Sequence, residues 1–80
     1  MMIRKVILDQ LAEITGVDAI IKNPDQELFK SGLLDSFGII QLFVAIQEEL
    51  NIEIAPTEVT REEWETPNKI ISYLEKRVGQ

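Results

Sequence analysis

Apolar residues recur at Ile3, Val6, Ile7, Leu11 and Ile14 with charged residues between them, a spacing of three and four that lines one side of a helix. The pattern predicts a first helix over about 2–15, closed by Gly16, a residue able to take the left-handed conformation that ends helices. Over 17–35 the helical period lapses, and Asn23-Pro24 and Gly32 are turn signals in a connection longer than compact domains usually hold. Ile20, Ile21, Leu28, Phe29, Leu33 and Leu34 punctuate it, so an ordered loop pinned across a bundle is expected, not a solvated linker.

A second helix is predicted over about 36–50, where Phe37, Ile40, Leu42, Phe43, Val44, Ile46 and Leu50 make a broad apolar surface suited to close packing on two neighbours. Ile39 has two readings: an apolar contact exposed near the helix start, or a residue packed against the loop. Gly38, which costs about 1 kcal/mol relative to alanine inside a helix, is expected to leave the helix start accessible. Residues 51–56 alternate briefly, but Pro56 makes them an extended connector. Thr60 and Glu63 fit a capping box and Thr57 offers an earlier cap, so one or two helical turns are expected between 57 and 64. Thr66 as N-cap with Pro67 at the first helical position starts a last helix. Its inner face is Ile70, Ile71, Leu74 and Val78, and it ends near Gly79. Trp64, just before that cap, is read as a core or staple residue.

The elements add up to an all-α chain: a four-helix bundle with three long helices, one short helix and a long first loop, forming one domain over 1–80. Eighty residues support a single small core that buries roughly 60% of the unfolded chain's surface. Neither cysteine nor histidine is present, which removes disulfides, Cys/His zinc sites and any catalytic dyad or triad that needs an imidazole or thiol from this chain. The start Met1-Met2-Ile3-Arg4-Lys5-Val6-Ile7-Leu8 has a basic, then apolar character that Asp9 and Glu13 interrupt; neither a signal peptide nor a membrane span is expected.

Charge narrows the partners. The net charge is −6, and residues 25–65 hold ten acids against two bases, Lys30 and Arg61. Nucleic acid is therefore not expected as a partner, since its phosphates would be repelled. A basic patch on a partner protein suits this surface; solubility alone is the other explanation. Paired carboxylates such as Glu48-Glu49 and Glu62-Glu63 read as solvated faces, not as acid/base pairs.

The candidate chemistry lies in Gly32-Leu33-Leu34-Asp35-Ser36-Phe37, where the loop enters the second helix. Asp35 and Ser36 are both ordinary helix caps, and structure alone accounts for them. The same position suits a phosphodiester on the Ser36 hydroxyl, because first-turn N–H groups and the positive dipole end favour an anion. These residues resemble the modification site of acyl and peptidyl carrier proteins, a Gly-x-Asp-Ser-Leu type motif, with Phe37 where that family has Leu or Met. The run Glu63-Trp64-Glu65-Thr66-Pro67-Asn68-Lys69-Ile70 is similar to a segment of the D-alanyl carrier family, with Glu65 for Asp. Fatty-acid carriers have acids two and five positions after the serine, where this chain has Gly38 and Gln41, and the latter fits the D-alanyl pattern.

The resemblance implies that Ser36 carries 4′-phosphopantetheine from coenzyme A, with Asp35 as the flanking acid that helps the modifying phosphopantetheinyl transferase and its magnesium. It implies a non-catalytic carrier that accepts D-alanine as a thioester from a cytoplasmic adenylating ligase and presents it to a membrane O-acyltransferase for D-alanylation of teichoic acid. Another acyl or aminoacyl cargo, of fatty acid, polyketide or peptide type, is the alternative within the class. An unmodified acidic interaction module is the alternative outside it. Phe37, Ile39, Gln41 and Glu58 are the positions assigned to partner contact, on a monomer that does not enter the membrane. Such interfaces are expected to be small and transient, below roughly 1,200 Å².

Overall fold

A computed structural model describes residues 3–79. In chain order these form α1 (Ile3–Thr15), the single turn α2 (Ala19–Lys22), α3 (Ser36–Leu50), a 3₁₀ turn (Pro56–Glu58) and α4 (Pro67–Val78). The all-α expectation holds: four α-helices and no strand occur among the described residues. The expected first residue of α1, Met2, lies outside them.

The centre of the packing is α1, which lies against α2, α3 and α4. Ile3, Ile7 and Leu11 of its predicted stripe are buried and Val6 and Ile14 are half-buried at its margins, while Leu8 and Ala12, outside the predicted stripe, are buried as well. The helix ends where expected, with Gly16 at φ +73° and its N–H donating to the Ala12 carbonyl. Thr15 reinforces this end: its hydroxyl donates to the Leu11 carbonyl and accepts from the Val17 N–H.

The long loop is ordered for the reason its composition predicts. Ile20, Leu28 and Leu34 are buried in the common core, and Phe29 and Leu33 pack against it. Backbone bonds tie the loop to the start of α4: Leu28 N–H donates to the Glu65 carbonyl and Asn68 N–H to the Pro24 carbonyl. The Asn68 side chain adds a donor to Asp25 at 2.7 Å and an acceptor for Arg4. Two details differ from expectation. The loop contains the turn α2, too short to show a period in sequence, and Ile21 on that turn is exposed while Ile20 is fully buried.

Helix α3 departs most from its predicted packing. It buries a stripe of every fourth residue, Gly38, Leu42, Ile46 and Leu50, and beside that stripe the half-buried Ile39 and Phe43 pack on the core, Phe43 against Trp64. Phe37, Ile40 and Val44 form an exposed stripe, 70%, 54% and 50% accessible, because nothing packs on that side. Gly38 also points inward, not toward solvent. A Cβ there would meet Leu34 Cδ1 at 2.7 Å and Ile14 Cγ2 at 3.4 Å, so the missing side chain lets the loop and α1 approach α3.

The Thr60–Glu63 capping box forms in full, with the Thr60 N–H donating to the Glu63 carboxylate and the Glu63 N–H to the Thr60 hydroxyl. It closes only a turn. Thr66, held extended at φ −133°, ψ 159° before Pro67, ends the local run before a second turn can propagate. The helical turn expected after Thr57 is a 3₁₀ turn starting one residue earlier, its first N–H, on Ala55, held by Glu58. Trp64 between them is buried in the core, its ring 5.2 Å from Phe43 and 5.7 Å from Tyr73. Helix α4 buries Ile70, Ile71 and Leu74, but Val78 in its last turn is 46% exposed, against expectation.

Candidate functional site

Asp35 is the N-cap of α3. Its backbone is extended, and Oδ1 accepts from the Gly38 N–H at 2.8 Å, the bond that a capping aspartate makes. The cap role therefore falls to Asp35, which leaves the Ser36 hydroxyl free of that duty on the first residue of the helix. Ser36 is exposed, and Gly32 at φ +79° turns the chain so that Leu34 can tuck inward two residues before it.

Beside Ser36 opens a cavity of about 120 Å³. One wall is α3, through Ser36, Ile39 and Phe43, and the loop contributes Phe29. The opposite wall comes from the segment before α4, through Val59, Thr60, Arg61 and Trp64. The Arg61 guanidinium sits 5.3 Å from the centroid of the Phe29 ring, a cation–π contact that fixes it at the rim. Trp64 brings a buried Nε1–H that has no hydrogen-bond acceptor among the described residues, a donor that costs free energy until one is supplied.

The other positions assigned from sequence divide. Ile39 shares the cavity with Ser36 and is half-buried, so both of its readings meet in one place. Phe37 is exposed next to Ser36 and continues along α3 as the apolar stripe with Ile40 and Val44. Gln41 is exposed on the side of α3 facing α1, in a shallow groove with Gln10, Glu13 and Ile14. Glu58 pairs with Arg77 of α4 at 3.0 Å and caps the 3₁₀ turn; it does not line the Ser36 cavity. Sequence reading did not place Phe29, Thr60 or Arg61 at the site. The available signal was that Arg61 is one of only two bases in an acidic stretch.

Residues 5–74 match the model of a protein family described as the phosphopantetheine attachment site. The chain belongs to that family. Its curated relatives include a D-alanyl carrier protein of Bacillus velezensis, 48% identical over 89% of this chain and 91% of the relative. Another, from Lacticaseibacillus rhamnosus, is 45% identical over 92% of this chain and 91% of its own. A third, from Staphylococcus saprophyticus, is 44% identical over 91% and 94%. Both are also D-alanyl carrier proteins. As a family of carriers these proteins are non-catalytic, and the group they hold covalently is 4′-phosphopantetheine.

The residues around α3's start fit such a group. An exposed hydroxyl borders a cavity, apolar on most of its walls, with the Arg61 cation among the residues that line it. No described helix is long and apolar enough to cross a membrane. Among the described residues no group of His, Cys, Asp or Glu is gathered to hold a metal.

Proposed function

We propose that the 80 residues act as one carrier domain that holds D-alanine on a 4′-phosphopantetheine arm attached to Ser36 and delivers it for D-alanylation of teichoic acid. The observation that carries the attachment assignment is the exposed Ser36 hydroxyl at the first position of α3, released from capping by Asp35. Attachment joins Ser36 Oγ to the β-phosphate of coenzyme A, forming a phosphodiester and releasing adenosine bisphosphate. The remaining first-turn N–H groups and the positive end of the helix stabilise the anion so formed. When bound, the group supplies the thiol that carries D-alanine as a thioester, a nucleophile no residue of this chain offers.

The chain's own work is presentation. A tether raises the local concentration of cargo at each partner's active site, and a shuttle must also release each partner. The exposed stripe Phe37, Ile40 and Val44 beside Ser36, on an acidic surface, suits brief apolar and charge-assisted docking. The partners are a phosphopantetheinyl transferase, an adenylating D-alanine ligase and a membrane O-acyltransferase, met by a cytoplasmic monomer. Ile39 and Gln41 flank the stripe, and Glu58 contributes charge from the 3₁₀ turn.

Intact-mass measurement tests the reading. Incubation with coenzyme A, magnesium and a broad-specificity phosphopantetheinyl transferase adds one phosphopantetheine group to the protein. Further incubation with ATP, D-alanine and the adenylating ligase adds one alanyl group. Failure of the first addition on folded protein refutes the carrier reading; success of the first with refusal of D-alanine by an active ligase refutes the cargo.

A further inference from the structure

Residues 63–70, the run that resembles the D-alanyl carrier segment, hold the long loop in place. At the start of α4, Pro67 has no N–H, the Lys69 N–H goes to the Thr66 cap, and the Asn68 N–H donates to the Pro24 carbonyl at 2.9 Å. The Asn68 side chain adds a bridge between opposite charges. Its Nδ2–H donates to Asp25 Oδ1 at 2.7 Å, and its Oδ1 accepts from Arg4 Nη2 at 3.1 Å. A carboxylate on one side and a cation on the other fix which way the amide points, and a side chain with one donor and one acceptor end satisfies both. The backbone then passes this constraint toward the site. Leu28 N–H donates to the Glu65 carbonyl at 2.8 Å, and the Leu28 carbonyl accepts from the Leu34 N–H at 2.9 Å. Leu34 is buried against Gly38, and Asp35 and Ser36 follow it directly.

We infer that Asn68 is a positioning residue for the modification of Ser36: by latching residues 24–28 to α4 it fixes Leu34, and through Leu34 the backbone at Asp35 that presents Ser36. This rests on the Ser36 attachment proposed above. Asn68 does not line the cavity beside Ser36, so its effect runs through the chain. The cap bond from the Gly38 N–H is made with Asp35 extended at φ −112°, ψ −173°, and Leu34, one residue earlier, is held in the core. With the latch released, Leu28 leaves the Glu65 carbonyl, the Leu34 N–H loses its acceptor, and the loop end samples conformers in which Ser36 is presented differently. A transferase that accepts only the presented form then meets a fraction of the protein. Its apparent KM rises by the inverse of that fraction while kcat is unchanged.

The test exchanges the two partners. Asn68→Asp sets a second carboxylate against Asp25 and removes the donor, while an acid in the first turn of α4 still suits the helix dipole. Hydrogen exchange on ¹⁵N-labelled protein should become faster at Leu28 and Leu34 by roughly tenfold or more, with the Ile7 and Leu11 amides of α1 changed far less. With coenzyme A, magnesium and the phosphopantetheinyl transferase, KM for this variant should rise roughly fivefold or more at unchanged kcat, each product checked by intact mass. Asp25→Asn alone keeps an acceptor for the Asn68 amide and should stay within roughly twofold of the unsubstituted protein. Asp25→Asn combined with Asn68→Asp restores one donor and one acceptor across the gap and gives Arg4 a carboxylate, so protection and KM should both return. Faster exchange with an unchanged KM overturns the positioning role and leaves the carrier reading intact. Unchanged exchange at Leu28 and Leu34, or an exchanged pair that fails to recover, overturns the latch. No mass gain in the unsubstituted protein overturns the attachment itself, and the positioning role with it.

Discussion

The starts of α3 and α4 are built alike and differ in what they leave available. Each has an extended N-cap whose side-chain oxygen accepts from the N–H three residues on: Asp35 from Gly38 at 2.8 Å, Thr66 from Lys69 at 3.2 Å. The residue after the cap separates them. At α4 it is Pro67, buried and without a hydroxyl or N–H; at α3 it is Ser36, exposed beside a cavity. The third helical position is reversed as well, with Gly38 buried against Leu34 in α3 and Lys69 exposed in α4. A capped helix start is therefore ordinary structure. What makes one of them a candidate site is an unused nucleophile in an open place with a cavity next to it.

The strongest way to sharpen this contrast is to remove the nucleophile. Ser36→Ala should abolish phosphopantetheine addition altogether by intact mass, while stability changes within about 0.5 kcal/mol in urea unfolding, since Asp35 keeps the cap. Transplanting the motif is the converse. With Ser36→Ala in place, Thr66→Asp combined with Pro67→Ser puts an Asp-Ser pair on α4, and the mass should not increase, because position 67 is buried. Addition at that position would show that the dipeptide suffices and that exposure is irrelevant.

Smaller effects separate the third positions. Gly38→Leu should cost about 1–3 kcal/mol, as its side chain must displace Leu34 and Ile14, whereas Lys69→Leu, losing only a surface ion pair to Glu65, should cost under about 1 kcal/mol. Equal costs would mean that the inward packing of Gly38 does not matter. Last come the caps themselves: Asp35→Ala and Thr66→Ala should each lower stability by about 1 kcal/mol, and only the former should slow modification of Ser36. A transferase rate unchanged in Asp35→Ala would reduce that residue to a cap alone.

Much of the molecule was readable because it depends on near neighbours in sequence. The α1 stripe, the Gly16 terminator, the two N-caps and the Pro67 start are set by residues within a turn of one another, where propensity and hydrogen bonding decide. The Thr60–Glu63 box shows the limit of such signals. Its reciprocal bonds form as expected, yet no helix follows, because the burial of Trp64 and the extended Thr66 act on the same few residues. Apolarity on two sides of α3 likewise predicted two packing neighbours; α1 and the Trp64 segment cover the sides through Leu42 and Phe43, while Phe37, Ile40 and Val44 stay bare.

By itself, the sequence determined that the chain is helical, where its long helices begin and end, and that an Asp-Ser pair stands at the second of them. These follow from contacts between residues a few positions apart. Only the tertiary structure decided which side of α3 stays bare, that Gly38 faces Leu34, and that Phe29, Arg61 and Trp64 meet Ser36 around one cavity. Those groups lie far apart along the chain. What brings them together is the burial of Leu28, Leu34 and Trp64 in the shared core, and the cavity's shape and charge are consequences of that packing.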